Sequence, residues 1–65
     1  MDNTTRLILM LDREFDKTVE EITYKKRLME RTGNFKRIAE LASEAAELEA
    51  YLEVLFNMAL EIVEG

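Results

Sequence analysis

Apolar residues recur at alternating steps of three and four along the second half of the chain. They are Ile38, Leu41, Ala45, Leu48, Leu52, Leu55, Ala59 and Ile62. This alternation is typical of a helix that packs along one seam against another helix. We therefore predict a helix over about residues 35–64, with this stripe as its buried seam.

The first half carries a less regular pattern of the same period. Its seam members are Ile8, Leu11, Phe15, Val19, Ile22 and Met29. Thr18 and Lys25 or Lys26 interrupt the stripe. The segment contains no Pro or Gly and is rich in strong helix formers, which predicts a helix over about residues 4–32. Three residues can cap its start: Asp2, Asn3 and Thr4.

A break separates the two stretches at residues 32–34, Thr-Gly-Asn. Gly33 suits the left-handed position just past a helix end, and Asn34 is a good N-cap for the next helix. So short a connection forces the helices into an antiparallel hairpin. We predict a single all-α domain over residues 1–65, a coiled-coil-like two-helix hairpin that completes a bundle with a partner.

The need for a partner follows from size and composition. A chain of 65 residues buries only about 60% of its unfolded surface, so its core is marginal without help. Disulfides and metals are the usual help in small domains, but the chain has no Cys and no His. Its hydrophobic content of 48% is too high for a disordered chain. By elimination, we expect a partner chain, and we expect no metal and no cofactor.

Further apolar residues lie away from the seam, at the end of the hairpin that holds both termini. Tyr51, Val54 and Met58 are spaced three and four apart on the opposite side of the second helix. Met10 lies opposite the seam of the first helix, and Leu7 lies near Met10 at the same end of the hairpin. Exposed patches of this kind usually mark an interface. We predict that these five residues bind a partner protein.

Charge is divided unevenly along the chain, whose net charge is −5. Residues 25–37 hold six basic residues and one acidic residue, whereas residues 38–65 hold seven acidic residues and no basic residue. The loop end is therefore basic and the rest is acidic. Cations at the end of the first helix are favoured by its dipole, and the acidic whole argues against binding to nucleic acid.

The sequence offers little for catalysis or for a membrane. Carboxylate pairs such as Glu44 and Glu47 are typical of a solvated helix face, and Ser43 has no His to activate it. We therefore predict that the protein is not an enzyme. No apolar run approaches the roughly 18 residues of a membrane span, and the start carries an acid where a secretion signal needs bases. We expect a soluble, cytoplasmic protein.

The segment YKKRLMERTGNFKRIAELASEAAELEAYLEVLFNMALEIV, roughly residues 24–63, resembles a known family. It is similar to the small co-chaperones of type III secretion, of the YscE, PscE and EscE kind. Three features carry the resemblance: a basic, Met-containing end of helix 1, a short Gly-containing turn, and a Leu-Glu pair followed by alternating apolar residues. The residues concerned are Lys25, Lys26, Met29, Gly33, Leu48, Glu49, Leu52, Val54 and Leu55.

The resemblance implies a helical hairpin that is not an enzyme. It implies pairing with a helical-repeat (TPR-like) chaperone, and through it with the needle subunit, which the pair keeps soluble and unpolymerised in the cytoplasm. Two alternatives stay open: a homodimeric four-helix-bundle adaptor or structural protein, and a small acidic inhibitor of the phage type. The seam pattern is common to all three, and self-association of the protein when alone is compatible with it.

Overall fold

Within residues 2–65, which the computed structural model describes, the chain forms two α-helices. Helix α1 spans Asn3–Arg31 and helix α2 spans Phe35–Glu64. The two helices pack against each other along their length as an antiparallel pair. The all-α hairpin predicted from the sequence is confirmed. Helix α1 begins one residue earlier and ends one residue earlier than predicted, a difference of the usual size at frayed helix ends.

Asp2, one of the three predicted caps, is the N-cap of helix α1. Its carboxylate Oδ1 accepts a hydrogen bond from the backbone N–H of Thr5, with a distance of 2.8 Å between the heavy atoms. This hydrogen bond from the backbone lowers the pKa of Asp2, because it stabilises the ionised form. The negative charge of Asp2 also interacts favourably with the positive, N-terminal end of the helix dipole.

The connection between the helices does not use a left-handed residue. Thr32 leaves the helix in an extended conformation (φ −88°, ψ 141°), and no glycine in residues 2–65 has a positive φ. The prediction that Gly33 is left-handed is therefore wrong, because Thr32 redirects the chain first. The predicted cap at Asn34 is confirmed, since its Oδ1 accepts the N–H of Arg37 at 3.1 Å.

The buried core is small and lies along the interface of the two helices. Its apolar members are Ile22, Leu41, Ala45 and Leu55, and Leu41 is the most deeply buried at 1% exposed. The other predicted seam residues of α2 are half-buried: Ile38, Leu48, Leu52, Ala59 and Ile62. In α1, Ile8, Leu11, Phe15 and Met29 are half-buried as well. Two helices alone cover each other on one side, which leaves these side chains partly open.

The seam prediction is wrong at Val19, which is 39% exposed. Thr18 occupies the seam instead and is 3% exposed. One residue turns a helix by about 100°, so burying Thr18 in line with Phe15 and Ile22 carries Val19 out of the interface. The Thr18 hydroxyl donates to the backbone carbonyl of Glu14 at 2.8 Å, which satisfies this buried polar group.

The hairpin is a rod of 49 × 17 × 10 Å, with a radius of gyration of 15.1 Å. A compact chain of this length would have a radius of gyration of about 11 Å. The elongated shape leaves a large share of apolar surface uncovered. Neither helix contains a stretch that is both long and apolar enough to cross a membrane, as far as residues 2–65 are concerned.

Candidate protein-binding surface

Two polar contacts between the helices distinguish the two sides of the hairpin. The Tyr51 hydroxyl donates to Glu14 Oε1 at 3.3 Å, and Lys26 Nζ lies 3.1 Å from Glu49 Oε1. Tyr51 and Glu14 each precede a seam position, whereas Glu49 and Lys26 each follow one, so the two contacts lie on opposite sides of the seam. We call the Tyr51 side the first flank and the Glu49 side the second flank. Residues seven positions apart share a flank.

The five predicted partner-binding residues all lie on the first flank, in the half of the rod that carries the termini. Met58 follows Tyr51 by seven positions, and Leu7 precedes Glu14 by seven. Each side chain is exposed: Leu7 47%, Met10 66%, Tyr51 40%, Val54 52% and Met58 45%. The fold therefore gathers these residues, from both helices, into one apolar surface that α1 and α2 do not cover.

Tyr51 is the best-fixed member of the first flank. Its ring extends from α2 toward α1, where the hydroxyl meets the Glu14 carboxylate. Loss of water around the ring raises the pKa of Tyr51, and the negative charge of Glu14 and the hydrogen bond to it raise it further. The phenol therefore stays protonated at neutral pH. A ring held in place before binding loses little conformational entropy when a partner covers it.

The second flank is also apolar, and sequence reasoning missed most of it. Phe56 is 54% exposed, Leu60 40% and Val63 72%, and Phe35 at the loop end is 87% exposed. The spacing of residues 56, 60 and 63 by four and three was the signal that could have revealed this flank. Residues 56, 60 and 63 directly follow the seam residues 55, 59 and 62. Their spacing therefore repeats the seam pattern and does not stand out as a separate stripe.

An apolar groove of about 250 Å³ opens between the helices near the termini. Its walls are formed by Ile8, Leu11, Asp12, Phe15, Leu55, Phe56 and Ala59. Asp12 and Phe56 belong to the second flank, so the groove opens on that side. The small side chain of Ala59 faces Ile8 and Leu11 across the seam and leaves this space unfilled. The groove can accept an apolar side chain, and its one carboxylate stands at the edge.

Ion pairs are concentrated toward the loop end. Lys25 Nζ lies 3.5 Å from Glu44 Oε2, in addition to the Lys26–Glu49 pair. Within α2, Arg37 Nη1 lies 3.2 Å from Glu40 Oε2. Exposed pairs of this kind contribute about 0–1 kcal/mol each. The two pairs that join the helices, Lys25–Glu44 and Lys26–Glu49, favour one register of α1 against α2.

The acidic residues are spread along the helices and do not gather into a metal-binding group within the part of the chain that the structure describes. No group of three or more acidic residues in residues 2–65 is placed to hold a metal ion. Glu44 and Glu49 face solvent and pair with lysines, with side chains about half exposed. Every buried side-chain N or O atom in residues 2–65 has a hydrogen-bond partner. The two apolar flanks, whose large side chains are exposed, are the candidate functional features of this hairpin.

Comparisons with protein-family models, with curated proteins and with solved structures find no match to this chain. The similarity to the type III secretion co-chaperones therefore rests on the residues quoted above. A helical hairpin alone indicates no function, since the same fold supports many. The functional argument has to start from the exposed surfaces.

Proposed function

We propose that this protein is a co-chaperone of type III secretion. It binds a helical-repeat chaperone through the first flank and, with that chaperone, keeps the needle subunit soluble and unpolymerised in the cytoplasm. The observation that carries the proposal is the first flank itself. Five apolar side chains from two helices are exposed together on a chain too small to bury them.

The energetics favour a partner on this flank. Covering about 300 Å² of apolar surface contributes roughly 7 kcal/mol before the costs of association. Tyr51 provides a fixed aromatic anchor, and Met10 and Met58 adapt their shape to a partner. A rod 49 Å long and 10–17 Å across suits the concave surface of a helical-repeat protein, which binds elongated segments.

The composition of the first flank also argues against the nucleic-acid mimic. An inhibitor that competes for a nucleic-acid-binding surface needs rows of carboxylates on its binding face. The first flank instead presents Tyr51, Val54 and Met58 in the terminal half of α2. A binding role, and no catalytic one, is consistent with acidic residues that face solvent or pair with lysines.

The proposal is tested by co-expression with a tagged helical-repeat chaperone of a type III secretion system. We expect the wild-type chain to co-purify, and Val54→Asp and Met58→Asp to abolish co-purification. Phe56→Asp is the matched control, since Phe56 is as exposed as Val54 but lies on the second flank. It should bind like the wild type. Circular dichroism of each variant checks that the helices are intact.

Two results would contradict the proposal. One is failure of the wild-type chain to bind the chaperone. The other is undiminished binding by Val54→Asp and Met58→Asp, with loss of binding when Arg27 and Lys36 are changed to Glu. That second result would identify the basic loop end as the binding surface. If binding is found, the needle subunit added to the pair should stay in the supernatant after centrifugation.

A further inference from the structure

A second periodic stripe follows the whole length of α2 on the second flank. It steps by four and three throughout, as the seam does, and every member is exposed. Its members are Phe35, Ala39, Ala42, Ala46, Glu49, Glu53, Phe56, Leu60 and Val63. Toward the loop the apolar members are mostly alanines, and toward the terminus they are large. Such a pattern is typical of a second helix-packing face, and α1 does not cover it.

We propose that a second copy of this chain covers the stripe, with its α2 antiparallel to the first. Antiparallel packing in the register of the stripe sets Ala46 opposite Phe56 of the second copy. It also sets Ala42 opposite Leu60 and Ala39 opposite Val63. Phe56, Leu60 and Val63 of each copy then meet alanines of the other, and symmetry repeats every pair. Phe35 lies outside the overlap of the two α2 helices. A parallel pair would set Phe56 against Phe56 and alanine against alanine, which crowds one end and leaves voids at the other.

Charge favours the same orientation. Residues 25–37 carry a net charge of +5 and residues 38–65 carry −7. Antiparallel copies place each basic loop end beside the acidic terminal part of the other copy, where Glu61 and Glu64 lie. Parallel copies would bring the two basic ends together. Opposite potentials across an interface select orientation in this way.

The centre of the stripe is polar and fixes the register. Glu49 of one copy lies opposite Glu53 of the other, which on its own would be repulsive. Lys26 already lies 3.1 Å from Glu49, on the same flank, so it is within reach of the second copy's Glu53 as well. A polar layer with one lysine per pair of carboxylates costs stability but disfavours other registers, as single polar layers do in coiled coils.

The exposed area is enough for such a dimer. The hairpin exposes 5307 Å², whereas a compact protein of 7.6 kDa exposes about 4,300 Å². The excess is about 1,000 Å², and a stable interface buries about 800 Å² per partner. The dimer lies beyond the proposed function and does not compete with it. The first flank lies on the opposite side of α2 and stays uncovered.

Cysteine cross-linking tests the orientation, because the chain has no Cys of its own. We make two single variants, Ala42→Cys and Leu60→Cys. The two positions are about 27 Å apart along α2, so neither variant can cross-link with itself in the antiparallel dimer. An oxidised mixture of the two should give a covalent heterodimer, and each variant alone should stay uncross-linked. Cross-linking of Ala42→Cys with itself would overturn the antiparallel arrangement.

Sedimentation tests the surface. The wild-type chain should be dimeric, and Phe56→Asp should weaken the dimer about 100-fold, because symmetry buries two carboxylates. Val54→Asp, equally exposed on the first flank, should change the dissociation constant less than about threefold. A monomeric wild type, or a dimer weakened by Val54→Asp and not by Phe56→Asp, would refute the proposal. Since each variant affects a different flank, failure here leaves the chaperone test intact.

Discussion

Single side chains decide where both helices begin. Asp2 caps α1 by accepting the N–H of Thr5, and Asn34 caps α2 by accepting the N–H of Arg37. Each satisfies one of the N–H groups that a helix start leaves without an intrahelical partner. The two caps make the same type of hydrogen bond, to the N–H three residues further on, but Asp2 carries a charge and Asn34 does not. They should therefore respond differently to pH.

Asp2→Asn should change how stability depends on pH. The pKa of Asp2 is lower in the folded chain, so its stabilising effect is full above the unfolded pKa and is lost as pH falls through the folded pKa. Asn accepts the same hydrogen bond at every pH. The melting temperature of the wild type minus that of the variant should therefore fall from neutral to strongly acidic pH. Other carboxylates cancel in this difference, and a constant value would contradict the assignment.

Gly33→Ala should not destabilise the hairpin. Gly33 has no positive φ, and a Cβ built on it meets no atom within 4 Å. The alanine should instead stabilise the fold by about 0.4–1 kcal/mol, because it restricts the unfolded chain. Urea unfolding at one fixed protein concentration measures this. Asn34→Ala is the control and should cost about 1 kcal/mol through loss of the cap. Destabilisation by Gly33→Ala would indicate a left-handed turn.

At the scale of the helices, the sequence predicts α2 better than α1. The α2 seam repeats without interruption, so its period and its buried face can both be read directly. In α1, seam positions fall on Thr18 and Lys25, and the apolar Val19 beside them suggests a different face. Thr18 can be buried because its hydroxyl bonds to the carbonyl of Glu14, a local contact that no apolar pattern reveals.

Truncating Leu41, which lies in the seam, and Val19, which was predicted there but is exposed, should have different effects on stability. Leu41→Ala removes the most buried side chain and should cost about 2–5 kcal/mol, enough to unfold much of so small a protein. Val19→Ala should cost less than about 0.5 kcal/mol, because Val19 is exposed. Thermal unfolding followed by circular dichroism gives both values. Comparable losses in the two variants would place Val19 in the interface after all.

The two flanks show a similar limit of sequence reasoning. The first flank could be predicted, because Tyr51, Val54 and Met58 form a separate stripe with steps of three and four. The second flank borders the seam, so Phe56 and Val63 could not be assigned to the core or to the surface by spacing alone. The packing of the two helices shows that both residues are exposed, because α1 covers the seam of α2 but not the residues beside it on this flank. Phe35 is exposed because it begins α2, just after the turn.

The whole molecule combines a rod shape with an uneven distribution of charge and apolar surface. The rod is 49 Å long. Its basic loop end and its apolar, acidic terminal end lie at opposite ends of that length. Association through the apolar ends alone would join two rods end to end and bring like acidic regions together. Association along α2 covers the second flank from Ala39 to Val63 and pairs opposite charges. Overall length therefore distinguishes the two modes.

Small-angle X-ray scattering should give a dimer hardly longer than the monomer. The proposed register centres the dimer near residue 51, slightly beyond the middle of α2, so the overlap is nearly complete. The maximum dimension should be about 55 Å, with a cross-section about twice that of one hairpin. An end-to-end dimer would instead reach about 100 Å. Phe56→Asp measured at the same concentration should scatter as a monomer of unchanged length. A long dimer would show that the terminal ends, and not the stripe of α2, hold the copies together.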